Sequence, residues 1–171
     1  ELLDAEHDAL LEGLRTWATR NGEEAVRPTG KNLRNLNPLV LEHEGAPIAG
    51  PAWWGHLVGG EPAKFPSINT RSERLRDKPA PLRSRGIVPA TGWFEMQKPS
   101  RVWHEFGLGE GTLFGMAAVT QPGRTADGST FTCYSLVMRE APAELADIHD
   151  RMPLLIPAGF AREWLSAPGA S

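Results

Sequence analysis

The chain contains a single cysteine, Cys133, and it lacks both a long apolar run and a cluster of metal-binding residues. One cysteine excludes an intramolecular disulfide and favours a reducing compartment such as the cytoplasm. The absence of a Cys/His cluster argues against structural zinc, and no motif for an organic cofactor is present. No run approaches the roughly 18 apolar residues of a membrane span, and no signal peptide is visible. We therefore expect a cytoplasmic protein that uses neither a cofactor nor a membrane.

Length and composition describe one ordinary globular domain. With 171 residues, of which 40% are hydrophobic and 23% charged, the chain can bury a single substantial core. Two separate domains would be short of apolar material, so we expect one domain over residues 1–171. The chain begins at Glu1 and not at a methionine. We expect native N-terminal residues to precede it.

The formal net charge of -3 hides a basic segment over residues 71–85, where six basic side chains stand against Glu73 and Asp77. The basic residues are Arg71, Arg74, Arg76, Lys78, Arg83 and Arg85. Together with Trp53 and Trp54, such a segment suits a phosphate backbone whose bases stack on aromatic rings. A solvated loop with incidental positive charge is the simpler interpretation when composition alone is considered.

Hydrophobic periodicity predicts strands in sequence with helices at both ends. Residues 2–20 have helical spacing, and residues 22–37 are rich in Gly, Asn and Arg, which predicts a loop. Two short helices are expected near the C-terminus, at Pro142–Asp150 and Pro157–Leu165. The runs with strand character are Leu39–His43, Pro47–Val58, Gly86–Met96, Arg101–Phe106, Thr112–Thr120 and Thr130–Met138. This order predicts an α+β fold with a mostly antiparallel sheet.

Three short polar clusters interrupt otherwise apolar stretches, at residues 69–73, 92–95 and 148–153. A buried polar side chain costs about 1–3 kcal/mol unless it is hydrogen-bonded, so such groups seldom occur without a partner or a role. The clusters supply an amide, a carboxyl and an imidazole from distant positions, namely Asn69, Glu95 and His149. These are the groups that a composite active site needs.

Each of the three residues also has a purely structural interpretation. Burial among aromatic neighbours would raise the pKa of Glu95, as a general acid requires, yet Glu95 could instead pair with a nearby basic residue on an edge strand. His149 could transfer a proton near neutral pH or simply end a helix. Asn69 could orient a carbonyl or an oxyanion, or cap a turn. The structural interpretation is favoured for each residue alone, and the active-site hypothesis depends on all three together.

The residues of these clusters and their order along the chain resemble the motifs of the SOS response-associated peptidase (SRAP) family. This family includes abasic-site DNA–protein crosslinking proteins. The resemblance is carried by Asn-Thr-Arg-Ser-Glu at 69–73, Val-Pro-Ala-Thr-Gly-Trp-Phe-Glu at 88–95 and Ile-His-Asp-Arg-Met-Pro at 148–153. Trp54-Gly55 and the Gly- and Ala-rich strand at 114–118 also resemble family segments. The similarity covers about residues 50–166. It implies a single α+β domain with a mostly antiparallel mixed sheet, an open barrel-like core and short flanking helices.

The resemblance also implies a covalent reaction with damaged DNA. In the family, a cysteine that becomes N-terminal after leader removal condenses with the ring-opened aldehyde of an abasic site in single-stranded DNA and forms a thiazolidine. An α-amine with a pKa near 8 is appreciably neutral at pH 7 and can form a Schiff base, which the adjacent thiol then traps. In this chain the cysteine would lie in residues that precede Glu1. Cys133 lies in a predicted strand, so we interpret it as a small core residue and not as the reactive cysteine.

Family roles carry over to matching positions of this chain. Asn69 would position the N-terminal amine or the sugar oxygen, Glu95 would act as acid and base in Schiff-base formation and leader removal, and His149 would move a proton to or from the deoxyribose. Arg71 and Arg151 would hold phosphates that flank the lesion. The remaining candidates for DNA contact are Trp53 and Trp54 as stacking walls and Arg74, Arg83 and Arg85 in the basic segment.

Two alternatives stay open at this point. The chain could be a catalytically silent module of the same family that binds single-stranded or junction DNA through its arginines. It could also be an unrelated small hydrolase in which Glu95 and His149 activate water. If the chain is instead the crosslinking protein, we expect a monomer that associates with the nucleoid when it acts on single-stranded DNA.

Overall fold

A computed structural model describes residues 36–55, 57–58, 61–62, 67–77, 84–124, 128 and 130–166. The helix predicted over 2–20, most of the loop predicted over 22–37, and Arg83 lie outside these ranges. Within them, no helix is long and apolar enough to cross a membrane.

Strands dominate the described part of the chain, and the helices are short. The strands are β1 (Leu36–His43), β2 (Ala46–Trp54), β3 (Leu57–Val58), β4 (Glu61–Pro62), β5 (Asn69–Arg71), β6 (Arg85–Ala90), β7 (Trp93–Met96), β8 (Trp103–Phe106), β9 (Phe114–Arg124), β10 (Thr130–Glu140), β11 (Arg151–Pro153) and β12 (Leu155–Ile156). The helices are α1 (Ser72–Asp77), α2 (Ala143–Ala146), α3 (Ala161–Ser166) and a 3-10 helix, Ala158–Phe160.

Five strands close into a ring. Their order is β10, β2, β1, β6 and β9, and β9 pairs again with β10. Within the ring only the pairing of β10 with β2 is parallel. β5 adds to β10 in parallel beyond the end of β2, and β11 pairs with the last residues of β10. The predicted α+β class with a mostly antiparallel sheet and a barrel-like core is confirmed.

Side chains from the five ring strands fill the inside of the barrel, which we call the interior side. Its buried members are Leu39, Ala52, Met116, Ala118, Tyr134, Leu136 and Met138. Asn37 donates to the hydroxyl of Tyr134 at 2.7 Å across this interior. Burying one large apolar side chain contributes about 1.5–3 kcal/mol, so this cluster is a major source of stability.

The alternate residues of the same strands form a second core outside the ring, which we call the outer side. Val119 and Val137 lie there beneath α3, which buries Trp164 and Leu165 against them. The indole nitrogen of Trp164 donates to the carbonyl of Gly86 at 2.9 Å. α3 therefore covers the outer side and leaves the interior side to be closed by other elements.

The two-stranded hairpin β7–β8 is separate from the ring but packs against the interior cluster through Trp93. A β-carbon at Gly92 would lie 2.7 Å from the carbonyl oxygen of Phe106, and one at Gly107 would lie 2.8 Å from that of Thr91. Only glycine fits such a close approach of two backbones. These glycines fix the base of the hairpin, and with it the position of Glu95.

The structure differs from the predicted elements in two instructive places. The run predicted as one strand over Gly86–Met96 divides at Thr91-Gly92 into β6 and β7, because the chain leaves the ring there to form the hairpin. The helix predicted over Pro142–Asp150 is confined to Ala143–Ala146, and His149 lies beyond its end. β5, α1, β11 and β12 were not predicted, since two to six residues carry too little periodicity to register.

Candidate active site

The hairpin turns one of its faces toward the barrel, and Glu95 lies on that face. Trp93 and Glu95 alternate with Phe94, which is 49% exposed on the other face. The side chain of Glu95 is 19% exposed. The Trp93 ring stacks on Phe106 with centroids 5.2 Å apart. The apolar residues of the hairpin thus surround the carboxyl and shield it partly from water.

His149 reaches the same place from the loop after α2. The His149 backbone N–H still donates to the Leu145 carbonyl at 3.2 Å, and Ala141 N–H donates to the Asp150 carbonyl at 3.0 Å, which closes the loop at its base. Gln97 of the hairpin donates to the Asp147 carbonyl at 3.2 Å. These bonds join the loop to the end of β10 and to the hairpin, so the imidazole and the carboxyl are held together.

The imidazole faces the carboxyl directly. Nε2 of His149 lies 3.9 Å from Oε2 of Glu95. The backbone N–H of Arg151 donates to Nδ1 of His149 at 3.1 Å, and the Arg151 carbonyl oxygen lies 3.0 Å from the same nitrogen. The tautomer of the neutral ring decides which of these two contacts is a hydrogen bond, and in either tautomer Nε2 is the nitrogen next to Glu95. The two side chains form a pair in which a proton can move to or from a bound group.

The surroundings of Glu95, chiefly its burial, favour the protonated carboxyl more than water does. Burial raises the pKa of Glu95 above its ordinary value, the nearby charge of Asp150 raises it further, and His149 opposes both effects. A carboxyl with a raised pKa serves as a general acid closer to neutral pH. The two side chains line a small hollow whose other walls include Trp93, Phe106, Leu145 and Met152.

Arg151 borders this hollow and is held by an ion pair. Its Nη1 donates to Oε1 of Glu73 at 2.7 Å, and Arg151 is 18% exposed at the side chain. The pKa of Glu73 is lowered by a hydrogen bond from its own backbone and by the one from Arg151. The pKa of Arg151 is raised, chiefly by the same bond to Glu73. One edge of the guanidinium is therefore fixed beside His149.

Asn69 is placed by β5. Leu136 N–H and the Trp54 indole both donate to the Ile68 carbonyl, at 2.9 Å each, and Thr70 and Ser135 share a hydroxyl hydrogen bond of 2.6 Å. Asn69 pairs with Leu136, so it belongs to the interior side together with Arg71. Both residues are exposed. Within the described ranges no hydrogen bond joins the Asn69 side chain to Glu95 or His149, and Asn69 is not among the residues that line the hollow beside that pair.

The other candidates for DNA contact divide between the two sides. Trp54 lies on the interior side and stacks on Tyr134, with centroids 6.4 Å apart. Trp53 pairs with Cys133 and belongs to the outer side, so the two tryptophans do not form one wall. Arg85 is also on the outer side, where its guanidinium carbon lies 4.7 Å from the Trp164 ring centroid. Arg74 is exposed on α1, and Arg83 falls outside the described residues.

One residue of this site and one of the hairpin beside it were not identified from the sequence. Glu73 belongs to the motif at 69–73, but no role was predicted for it. The signal available in the sequence was its position two residues after Arg71, at the start of a helix. His104, which pairs with Glu95 across the hairpin, was not singled out because a lone histidine in a polar stretch carries no pattern. Among the residues that the model describes, no group of three or more His, Cys, Asp or Glu side chains could hold a metal ion.

Comparison with known proteins agrees with the motifs. The SOS response associated peptidase (SRAP) family model matches residues 20–171. The chain is 32% identical over 157 residues to the abasic site processing protein YobE of Bacillus subtilis, covering 84% of this chain and 71% of that protein. It is 34% identical over 125 residues to the abasic site processing protein YedK of Escherichia coli, covering 67% of this chain and 54% of that protein.

Solved structures share the fold. A protein of Bordetella bronchiseptica superimposes with a TM-score of 0.65 at 22% identity, covering 78% of this chain and 74% of that one. A protein of Bacteroides thetaiotaomicron superimposes with a TM-score of 0.59 at 19% identity, covering 77% of this chain and 62% of that one. The family match over residues 20–171 and the identity to YobE confirm the resemblance read from the motifs: the chain belongs to the SOS response-associated peptidase family.

Proposed function

We propose that this protein processes abasic sites in single-stranded DNA by forming a covalent crosslink through an N-terminal cysteine. The observation that supports the proposal most directly is the Glu95–His149 pair, whose side chains lie 3.9 Å apart and line one hollow. Two distant motifs of the chain meet in this pair. Relatives that carry the family domain are named abasic site processing proteins.

The proposed chemistry joins an amine, a thiol and an aldehyde with loss of one water. The ring-opened abasic sugar presents an aldehyde, and the α-amine adds to its carbon to give a carbinolamine. Protonation of the departing hydroxyl by Glu95 releases water and leaves a Schiff base. The thiol then adds to the same carbon, transfers its proton to the nitrogen and closes the thiazolidine. His149 moves the proton that opens the sugar ring.

The charges around the pair suit this substrate. Arg71 and Arg151 lie on the interior side of strands that flank β10, and one edge of the Arg151 guanidinium is already fixed by Glu73. Guanidinium groups match phosphate oxygens in geometry and charge. We assign Arg71 and Arg151 to the phosphates that flank the lesion, and Asn69 to the N-terminal amine or the sugar oxygen. The same groups would cleave the peptide bond that precedes the cysteine.

The test uses the full-length protein with its native N-terminus and a single-stranded oligonucleotide that carries one abasic site. We expect a shifted band on a denaturing gel, together with a mass equal to protein plus DNA minus one water. A tetrahydrofuran analogue of the lesion lacks the aldehyde and should give no shifted band. A duplex with the same lesion measures the preference for single strands.

Variants separate the chemistry from binding. Glu95→Gln and His149→Asn should lower the crosslinking rate and leave DNA affinity nearly unchanged, whereas Arg71→Ala should weaken affinity. A wild-type protein with a confirmed N-terminal cysteine that binds the oligonucleotide but never yields the shifted band would replace this proposal with a silent DNA-binding module.

A further inference from the structure

A second histidine lies next to Glu95 on the hairpin. In the register of β7 and β8, Glu95 stands directly opposite His104, as Trp93 stands opposite Phe106. Residues that face each other in an antiparallel pair project to the same face, with β-carbons about 4.5–5.5 Å apart. His104 therefore shares the inner face of the hairpin with Glu95, while its neighbours Trp103 and Glu105 are exposed on the other face.

The ring of His104 has an unsatisfied polar atom. Its Nε2 is buried and has no hydrogen-bond partner. Buried ring nitrogens in native proteins are nearly always paired, since an unpaired one loses its bonds to water without compensation. A buried, unpaired nitrogen on this face makes a hydrogen-bond partner on the same face of the hairpin the natural one to look for.

The carboxyl of Glu95 lacks a hydrogen-bond donor among the described residues. Oε2 lies 3.9 Å from His149, beyond hydrogen-bond length, and among the described residues neither carboxyl oxygen accepts a hydrogen bond. Both imidazoles thus flank one carboxyl, one from the loop after α2 and one from the paired strand. The two residues are direct cross-strand neighbours, so a change of side-chain rotamer is the movement that would bring Nε2 to this oxygen.

We propose that His104 is a positioning residue for Glu95, donating its Nε2–H to a Glu95 carboxyl oxygen in the protein in solution, before DNA binds. This inference rests on the proposed function for its consequence in catalysis, and it adds a residue to the same site. The bond fixes the plane of the carboxyl against the hollow. It also favours the ionised form of Glu95, and so counteracts the effect of burial.

Other charges around the carboxyl belong to different elements. His149 and Asp150 approach from the loop after α2, and Arg151 from β11. On β8 itself, Glu105 points away on the exposed face of the hairpin. His104 is therefore the titratable group of β8 that faces Glu95, and its replacement changes one neighbour of the carboxyl at a time.

The first experiment measures Glu95 itself by carboxyl carbon NMR across pH, in this chain without DNA. His104→Phe preserves a ring but removes the donor, and we expect the pKa of Glu95 to rise by about one pH unit, a tenfold change in the ratio of its ionised to its protonated form. His104→Gln restores a donor of similar reach and should return the pKa most of the way. His43→Phe, at an exposed histidine of β1, is the matched control.

A second measurement needs no substitution at His104. In the wild-type protein the Nε2 proton of His104 should give a slowly exchanging, downfield resonance that Glu95→Gln abolishes. An unmoved Glu95 pKa in His104→Phe, or a His104 resonance indifferent to Glu95→Gln, would overturn the inference.

The consequence for catalysis is measured as the pH dependence of the crosslinking rate of the full-length protein. The limb of the crosslinking pH profile that reports Glu95 should move to higher pH in His104→Phe and return in His104→Gln, in step with the NMR values. A residue that only supports packing would lower the rate without moving this limb. If wild-type protein forms no crosslink while the NMR shifts occur, the proposed function fails and the His104–Glu95 contact stands.

Discussion

Glu73 and Arg151 are separated by 78 positions in the sequence, yet the Arg151 guanidinium donates to the Glu73 carboxylate at 2.7 Å. The two residues come from opposite flanks of β10: α1 follows β5 on one flank, and β11 lies on the other. The contact spans β10 and joins the first motif of the family to the third. One edge of the Arg151 guanidinium is therefore occupied, which fixes the orientation of this side chain.

Replacing Glu73 should release Arg151 and change how stability depends on pH. The folded-state pKa of Glu73 lies below its ordinary value of 4.5. Its stabilising effect is therefore complete above pH 4.5 and is lost as the pH falls through the folded-state value. We expect urea denaturation curves of wild type and Glu73→Gln to differ at pH 7 and to converge on acidification, with Glu105→Gln as an exposed control. A difference that stays constant from pH 7 to pH 3 would argue against the pair.

Glu95→Gln should stabilise the fold while it slows the reaction. The pKa of Glu95 is raised, so between 4.5 and the folded-state value the native protein holds a proton that the unfolded chain has released. Stability then decreases as pH rises through that window, by about 1.4 kcal/mol for each pH unit of the raised pKa. The variant should exceed wild type at pH 8 and match it below pH 4. Its crosslinking rate should be lower by about 100-fold or more. Equal stability at pH 8 would contradict a buried, ionisable carboxyl.

His149→Asn tests the imidazole with little effect on the loop. The Asn amide lies where Nδ1 lies, so the bond from Arg151 N–H is retained, whereas nothing replaces Nε2 next to Glu95. We expect a stability change within about 0.5 kcal/mol and a crosslinking rate lower by about 10²–10⁴. His43→Asn, at an exposed site, should leave both quantities unchanged. A fully active His149→Asn protein would remove His149 from the mechanism.

Gly92→Ala should displace the hairpin that carries Glu95. The added β-carbon would lie 2.7 Å from the carbonyl oxygen of Phe106, and backbone cannot yield as a side chain does. We expect a loss of about 1–3 kcal/mol in the free energy of unfolding and a slower crosslink. Gly159→Ala is the matched control because a β-carbon there meets nothing within 4 Å. Similar effects of the two substitutions would show that the close approach is unimportant.

Arg71 and Arg85 should behave differently even though both belong to the basic segment. Arg71 is exposed on the interior side, so Arg71→Ala should weaken binding to single-stranded DNA and reduce the slope of log K against log[salt] by about one. Arg85 lies over Trp164 on the outer side, so Arg85→Ala should cost about 0.5–2 kcal/mol of stability and leave the salt slope intact. Fluorescence titrations at several salt concentrations distinguish the two, and equal slopes would contradict the assignment of sides.

Much of the fold was predictable because the longer strands carry strong local patterns. β1, β9 and β10 alternate or run apolar over eight residues or more, and each was predicted with errors only at its ends. β5 and β11 were missed, since three residues that pair only with β10 have no pattern of their own. Glu95 and His149 were identifiable as polar groups in apolar surroundings, whereas His104 became visible only through its register opposite Glu95.

The sequence by itself determined the family, the fold class and the chemical types available to the site, because motifs and periodicity are local properties. The tertiary structure alone decided which of these groups meet. In the folded chain Glu95 lies beside His149, and Arg151 forms an ion pair with Glu73. Trp53 and Arg85 lie on the outer side. The reason is register: a strand shifted by one residue reverses every side chain, and register depends on contacts between segments far apart in the chain.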